Sequence, residues 1–206
     1  MIEYNTLVVL VGVSLLAASA GLVGCFAMLR RRALMGDALA HAALPGVVLA
    51  YLLYREYHLP VLLAGAFATG LLGVQVVAVL DRWTRIKEDA AIGIVLSVFF
   101  GAGIVLLRVV PEGTASGLNA FILGKTAGMV ARDVYLIAAA ALLFVVLVLL
   151  FYKEFQLVVF DPDFAQAQGW PALRLELLLM ALVALTVVIG LPAVGVVMIA
   201  ALLIVP

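Results

Sequence analysis

Residues 7–32 read LVVLVGVSLLAASAGLVGCFAMLRRR, an unbroken run without one charged side chain that ends in three consecutive arginines. A helix rises about 1.5 Å per residue, so about 20 apolar residues cross the roughly 30 Å hydrocarbon core of a bilayer. Such a run closes its own backbone hydrogen bonds, which lipid requires. The stretch Leu7–Leu29 therefore reads as a membrane span, and the arginines mark where it leaves the bilayer. Working outward, further spans are expected at about 38–54, 60–80, 90–110, 134–152 and 175–190. Gly190-Leu191-Pro192 should interrupt the last apolar stretch, with a further segment at 193–206. The expected fold is an all-α, polytopic transmembrane helical bundle forming one domain over 1–206, with no internal repeat.

Composition agrees. Hydrophobic residues make up 67% of the chain and charged residues only 12%, where soluble domains have about half and about a quarter. Basic and acidic residues balance at 12 each, so nothing draws the chain to nucleic acid. A single cysteine, Cys25, excludes an internal disulfide and a cysteine-rich metal site, and it reads as a small buried hydrophobe. No basic residue precedes the first apolar run, and the run is too long for a signal-peptide core.

The distribution of Lys and Arg orients the bundle. With the N-terminus outside, Arg30, Arg31, Arg32, Arg82, Arg85, Lys87, Lys153 and Arg174 fall in the cytoplasm. Arg55, Arg108, Lys125 and Arg132 fall outside. The N-out arrangement follows.

Two connecting segments carry structure of their own. In FDPDFAQAQGWP (160–171), Asp161 suits an N-cap, Pro162 the first helical position, and Asp163 the positive end of the helix dipole. Gly169 supplies a left-handed stop, with Pro171 close behind. A short cytoplasmic helix at about 162–168 is expected, as a rigid docking element or as an ordinary amphipathic loop helix. The outer loop from Pro111 to Asp133 contains NAFILGKT, which looks like the end of a phosphate-binding loop. That reading fails because Asn119 replaces the required glycine and no strand precedes it.

The polar residues inside the membrane are the informative ones. The stretch GDALAHAALPGVVLAYLL (36–53) places Asp37 and His41 four apart, on one helix face. An acid in a span costs about 2.5–3.5 kcal/mol on insertion scales, so such groups face a partner, a bundle interior or an aqueous path. Small neighbours admit a close partner, and Pro45-Gly46 loosen the backbone ladder just beyond. A carboxylate oxygen and an imidazole nitrogen suit a divalent first-row ion, and a two-fold dimer would double the ligand set. The competing reading is a staple in which the two side chains satisfy each other. His58, beside Glu56 and Tyr57, reads as a solvated turn; the loop DRWTRIKED (81–89) reads as solvated charge whose acids open the next helix. Met35, Met180 and Met198 read as packing. No nucleophile lies beside a base, so an intramembrane hydrolase is disfavoured.

Four segments resemble the permease subunits of bacterial ABC importers for zinc, manganese and chelated iron (the ABC-3 family). They are RRRALMGDALAHAALPGVVLAYLL (30–53), EDAAIGIVLSVFFGAGIVLL (88–107), FYKEFQLVVFDPDFAQAQGWP (151–171) and GLPAVGVVMIAALLIVP (190–206). The resemblance implies a type II ABC importer permease fold in the bacterial cytoplasmic (inner) membrane, surrounded by lipid. It implies a dimer with a second copy or a related permease, cytoplasmic ATP-binding subunits, and an extracytoplasmic metal-binding protein. Asp37 and His41 match the family's metal-path pair. The segment containing Phe160, Asp161, Asp163, Phe164 and Gly169 matches the one that couples permease to ATPase. The implied function is ATP-driven import of a divalent metal by alternating access, without a catalytic residue or permanently bound cofactor in this chain. FILGKTAGMVARDVYLI (121–137) looks closer to the manganese branch, so Mn²⁺ is the expected cargo, with Zn²⁺ or Fe²⁺ as alternatives. An accessory membrane subunit without its own ion path is the rival reading. Family members usually continue beyond ALLIVP, so the chain also reads as truncated at its C-terminus.

Overall fold

The computed structural model describes residues 4–205 apart from 31, 33, 57, 111–116, 119, 120 and 122. Arg31, Tyr57, Asn119 and Pro206, which the sequence reading uses, lie outside the described residues. In chain order the helices are α1 (Tyr4–Leu29), α2 (Met35–Tyr54), α3 (Leu59–Trp83) and α4 (Glu88–Val109). A 3₁₀ turn (Thr126–Gly128) precedes α5 (Ala131–Leu150), α6 (Tyr152–Phe160) and α7 (Pro162–Ala167). The chain then forms α8 (Ala172–Val194) and α9 (Val196–Ile204), and the described residues contain no strand. Six helices, α1 to α5 and α8, are long and apolar enough to cross a membrane.

The centre of the bundle is α2 and α8. In each, 67% of the most apolar window is buried within the chain, against 22% in α4. Lipid is as apolar as leucine, so hydrophobicity alone cannot choose which helices meet; close packing of small residues does. On α2 that residue is Gly46. A β-carbon there would run into the Gly65 carbonyl of α3, and one at Gly65 would meet the Gly46 carbonyl. On the other side, Gly103 of α4 sits against Leu44 and the Pro45 nitrogen. Pro45 lies inside α2 without ending it. The two neighbouring helices thus clasp α2 at its Pro-Gly step. The α1 helix packs on α5, α8 and α9, and its Gly24 lies under the Leu203 carbonyl of α9.

The structure differs from the sequence reading at three places. The last long helix does not stop at Gly190–Pro192 but runs through Pro192 to Val194. Proline removes one intrahelical bond, which a packed helix tolerates. The stop is Gly195, at φ 85 and ψ 169, a backbone region open essentially to glycine. The carbonyls left over at the helix end are satisfied from elsewhere: Lys125 N–H donates to Pro192 O (3.1 Å) and the Thr126 hydroxyl to Ala193 O (3.0 Å). Second, a separate helix, α6, follows α5 after a bend at Phe151. Its Phe155, Val158 and Val159 face inward, and the Phe155 and Tyr152 rings lie 5.8 and 6.3 Å from that of Phe26. Third, Cys25 is exposed on α1 rather than buried. Its neighbours along the helix are apolar, so sequence alone does not separate the inner from the outer face.

Candidate metal path and its supports

Asp37 occupies the first turn of α2 and His41 the next. The Asp37 Oδ1 and His41 Nε2 atoms are 3.5 Å apart, with side chains 38% and 26% exposed. That separation is too long for a good hydrogen bond, which runs to about 3.2 Å. It does fit two ligands on one ion: bonds of about 2.1 Å at a roughly tetrahedral angle hold ligand atoms about 3.4 Å apart. The same separation also suits a direct ion pair between the two side chains, the staple geometry. Among the described residues no third His, Cys, Asp or Glu joins it.

His41 opens on a cavity of about 390 Å³ lined also by Phe100, Leu123, Val194, Gly195 and Met198. The Phe100 ring of α4 meets the imidazole edge-on, with centroids 4.8 Å apart and planes at 77°, which holds the ring plane. Pro45 stands four residues after His41 and has no N–H, so the amide that would normally close on the His41 carbonyl is missing. An aromatic wall, the α8–α9 break and a loosened turn of α2 therefore surround the imidazole. Phe100 and the Gly195 break are site features the sequence reading did not identify. Both lie in apolar runs, and only their contacts distinguish them. His58 stands apart, at the far end of α2. It pairs with Glu56 (2.9 Å) in an exposed position.

At the opposite pole is the short helix α7. Asp161 Oδ1 accepts a hydrogen bond from the Phe164 N–H (2.9 Å), Pro162 and Asp163 fill the first turn, and Gly169 is left-handed at φ 84. Phe160 ends α6 and Phe164 lies on α7; both rings are exposed. Removing the cap should loosen the helix without unfolding the bundle. Asp161→Ala is expected to cost about 1 kcal/mol of local stability, read as faster amide hydrogen exchange across 162–168 with the spans unchanged.

Beside α7 lies a charged cluster that the sequence reading divided among unrelated roles. Arg30 pairs with Glu176 at 2.9 Å, and Arg32 pairs with Glu176 at 2.6 Å and also with Glu88. Glu88, read from sequence as a solvated helix-opening acid, is thus a structural partner of Arg32. The available signal was Glu176, the sole acid in the apolar α8.

The chain is similar to known membrane transport proteins. Over 205 residues the chain is 46% identical to the manganese transport system membrane protein MntC of Bacillus subtilis, covering 98% of this chain and 47% of that protein. It is 45% identical to the zinc transport system membrane protein TroC of Treponema pallidum over 99% of this chain and 70% of that one. The chain therefore spans about half of the first relative's length and somewhat over two thirds of the second's. The fold superposes on the structure of PsaBC from Streptococcus pneumoniae in complex with Fab, with a TM-score of 0.82 and 32% identity. That match covers 98% of this chain and 70% of the other. The family described as the ABC 3 transport family matches residues 3–206. A match over nearly the whole length, joined to the same helical architecture, makes this multi-pass membrane protein a member of the ABC 3 transport family.

Proposed function

We propose that the chain is a permease subunit of an ATP-driven importer of a divalent transition metal, with Mn²⁺ as the cargo and Asp37 and His41 as its transient ligands. The observation that carries this reading is the Asp37–His41 pair on one face of α2, at a separation a shared ion could span, with His41 lining the cavity at the α8–α9 break. A hard carboxylate oxygen and a borderline imidazole nitrogen suit Mn²⁺, Fe²⁺ and Zn²⁺. Two protein ligands hold an ion weakly enough to release it, which a path needs and a storage site does not. The manganese assignment draws on the Bacillus relative, and the zinc-transport relative at nearly equal identity makes Zn²⁺ the competitor to test.

Alternating access is the mode of transport in this reading. Net movement requires that the ligand pair face one side at a time, with an energy source biasing the two states. This chain supplies the path; ATP hydrolysis is assigned to a separate cytoplasmic subunit that docks on α7 through Phe160, Phe164 and the capped turn at Asp161, Asp163 and Gly169. The Lys and Arg distribution supports a cytoplasmic location for that end. A second permease, identical or related, and an extracytoplasmic metal-binding protein complete the assembly. The cavity at His41 supports a path over a staple.

The test is uptake of radioactive Mn²⁺ into proteoliposomes containing the complete complex, with Zn²⁺ and Fe²⁺ as competitors. ATP-dependent accumulation, displaced least by the non-cognate ions, is expected. Accumulation of Zn²⁺ in preference to Mn²⁺ would reassign the cargo, and no ATP-dependent accumulation of any of the three would overturn the function.

A further inference from the structure

The charged cluster at the α7 end pairs two arginines with two glutamates, and its members come from three separate parts of the chain. Arg30 follows α1, Arg32 lies in the link to α2, Glu88 opens α4, and Glu176 stands near the start of α8. Glu176 uses its two carboxylate oxygens on different arginines: Oε2 meets Arg30 and Oε1 meets Arg32. The Arg32 guanidinium in turn bridges to Glu88 through another of its nitrogens. Both arginine side chains and that of Glu176 are 14–16% exposed, so water screens these pairs less than it would on an open surface.

Arg32 is also fixed through its backbone. Its N–H donates to the Ala27 carbonyl of α1, and its own carbonyl accepts from the Met35 N–H that begins α2 (both 3.0 Å). A displacement of the Arg32 backbone is therefore a displacement of the α2 start, and Asp37 is in the first turn of α2. On the other side, α7 borders the cavity of about 250 Å³ that these charges line, contributing Asp163 and Gln166. Ion pairs and backbone bonds thus run from Glu176 on α8 through Arg32 to the start of α2, and α7 faces them across this cavity.

We propose that Glu176 and Arg32 form a strut that transmits movement of α7 and α8 to the start of α2, so that nucleotide-driven motion reaches Asp37 and His41. The proposal rests on the reading of α7 as the ATPase-docking helix. It treats Glu176 and Arg32 as positioning residues that never touch the ion. Cutting the strut should leave each end working alone, so coupling through it is directly measurable.

The experiment uses the complete permease–ATPase complex in nanodiscs, with Cys25→Ser and spin labels on cysteines replacing the exposed Leu34 and Leu173. These report on the α2 and α8 starts. With the strut intact, the two starts move as one body, and a non-hydrolysable ATP analogue leaves a single narrow distance unchanged. In Glu176→Gln the analogue should shift or broaden that distance by about 2 Å. ATP hydrolysed per Mn²⁺ moved should rise about tenfold, while Mn²⁺ affinity stays at the wild-type value. Glu176→Asp, which keeps the carboxylate, should recover part of the coupling. If Glu176→Gln does not fold, Arg32→Gln, which cuts the same pair from the other side, is read with the same labels and is expected to broaden the distance likewise. A variant whose labels behave as in wild type overturns the strut. A wild-type complex that hydrolyses ATP without moving Mn²⁺ overturns the cargo assignment instead, and the label distances still decide the strut. A wild-type chain that recruits no ATPase overturns both.

Discussion

Asp37→Ala and His41→Ala are each expected to lower ATP-dependent Mn²⁺ uptake by about 100-fold or more, while expression, membrane insertion and complex assembly stay near wild type. A lost ligand bond worth roughly 3 kcal/mol corresponds to a factor of about 100 in binding, and a two-ligand site has nothing in reserve. The same substitutions remove a polar group from an apolar helix, which favours insertion. Function and folding are therefore pushed in opposite directions, which makes the result diagnostic. Asp37→Asn refines it. The amide keeps the shape and an oxygen but loses the charge, so uptake should fall further than assembly does. If both alanine variants instead fail to assemble while Mn²⁺ uptake tracks the amount of folded protein, the pair is a staple and the path lies elsewhere.

Gly46→Val is the second large effect, and it acts through packing. The new β-carbon would enter the Gly65 carbonyl, with Thr69 Oγ1 equally close. Backbone cannot yield as a flexible side chain can, so α2 and α3 must separate. Overpacking of a well-packed interior costs about 1–3 kcal/mol and sometimes more; a backbone clash between the most extensively packed pair of helices belongs at or above the top of that range. The variant is expected to lose its monodisperse peak in detergent and to unfold at a clearly lower temperature. Gly93→Val is the control: a β-carbon there meets nothing within 4 Å, so its effect should stay within about 0.5 kcal/mol. Equal stability of the two variants would remove the glycine clasp as the reason α2 sits where it does.

Much of the architecture was legible because lipid imposes one rule on every span: the backbone must satisfy itself. That rule is written in length and apolarity, which a sequence displays directly. It says nothing about which apolar face meets which helix. Cys25 was assigned to the wrong face for that reason, and α6 was missed because no Gly or Pro marks the bend at Phe151, although Lys153, Glu154 and Gln156 make the segment more polar than α5. The candidate ligands stood out because Asp37 and His41 are polar in an apolar setting. Phe100 carries no such mark. Glu176 carries one, yet its partners lie far away in sequence, so its meaning depends on the fold. The break in the last helix was misplaced for a different reason: proline is the stronger local signal, but glycine alone can adopt the conformation found at position 195.

The bonds that close the end of α8 set an order of events during synthesis. The Thr126 hydroxyl meets the carbonyl of Ala193, 67 residues later in the chain. At about 5–20 residues per second, the ribosome needs roughly 3–13 seconds to make that interval. Throughout that time the 124–126 segment has been made but its partner does not exist. Those donors must be held by water or by the insertion machinery, and the outer rim of the His41 cavity is completed only after both α5 and α8 are in the bilayer. The nascent bundle thus acquires Asp37 and His41 early and its closure late.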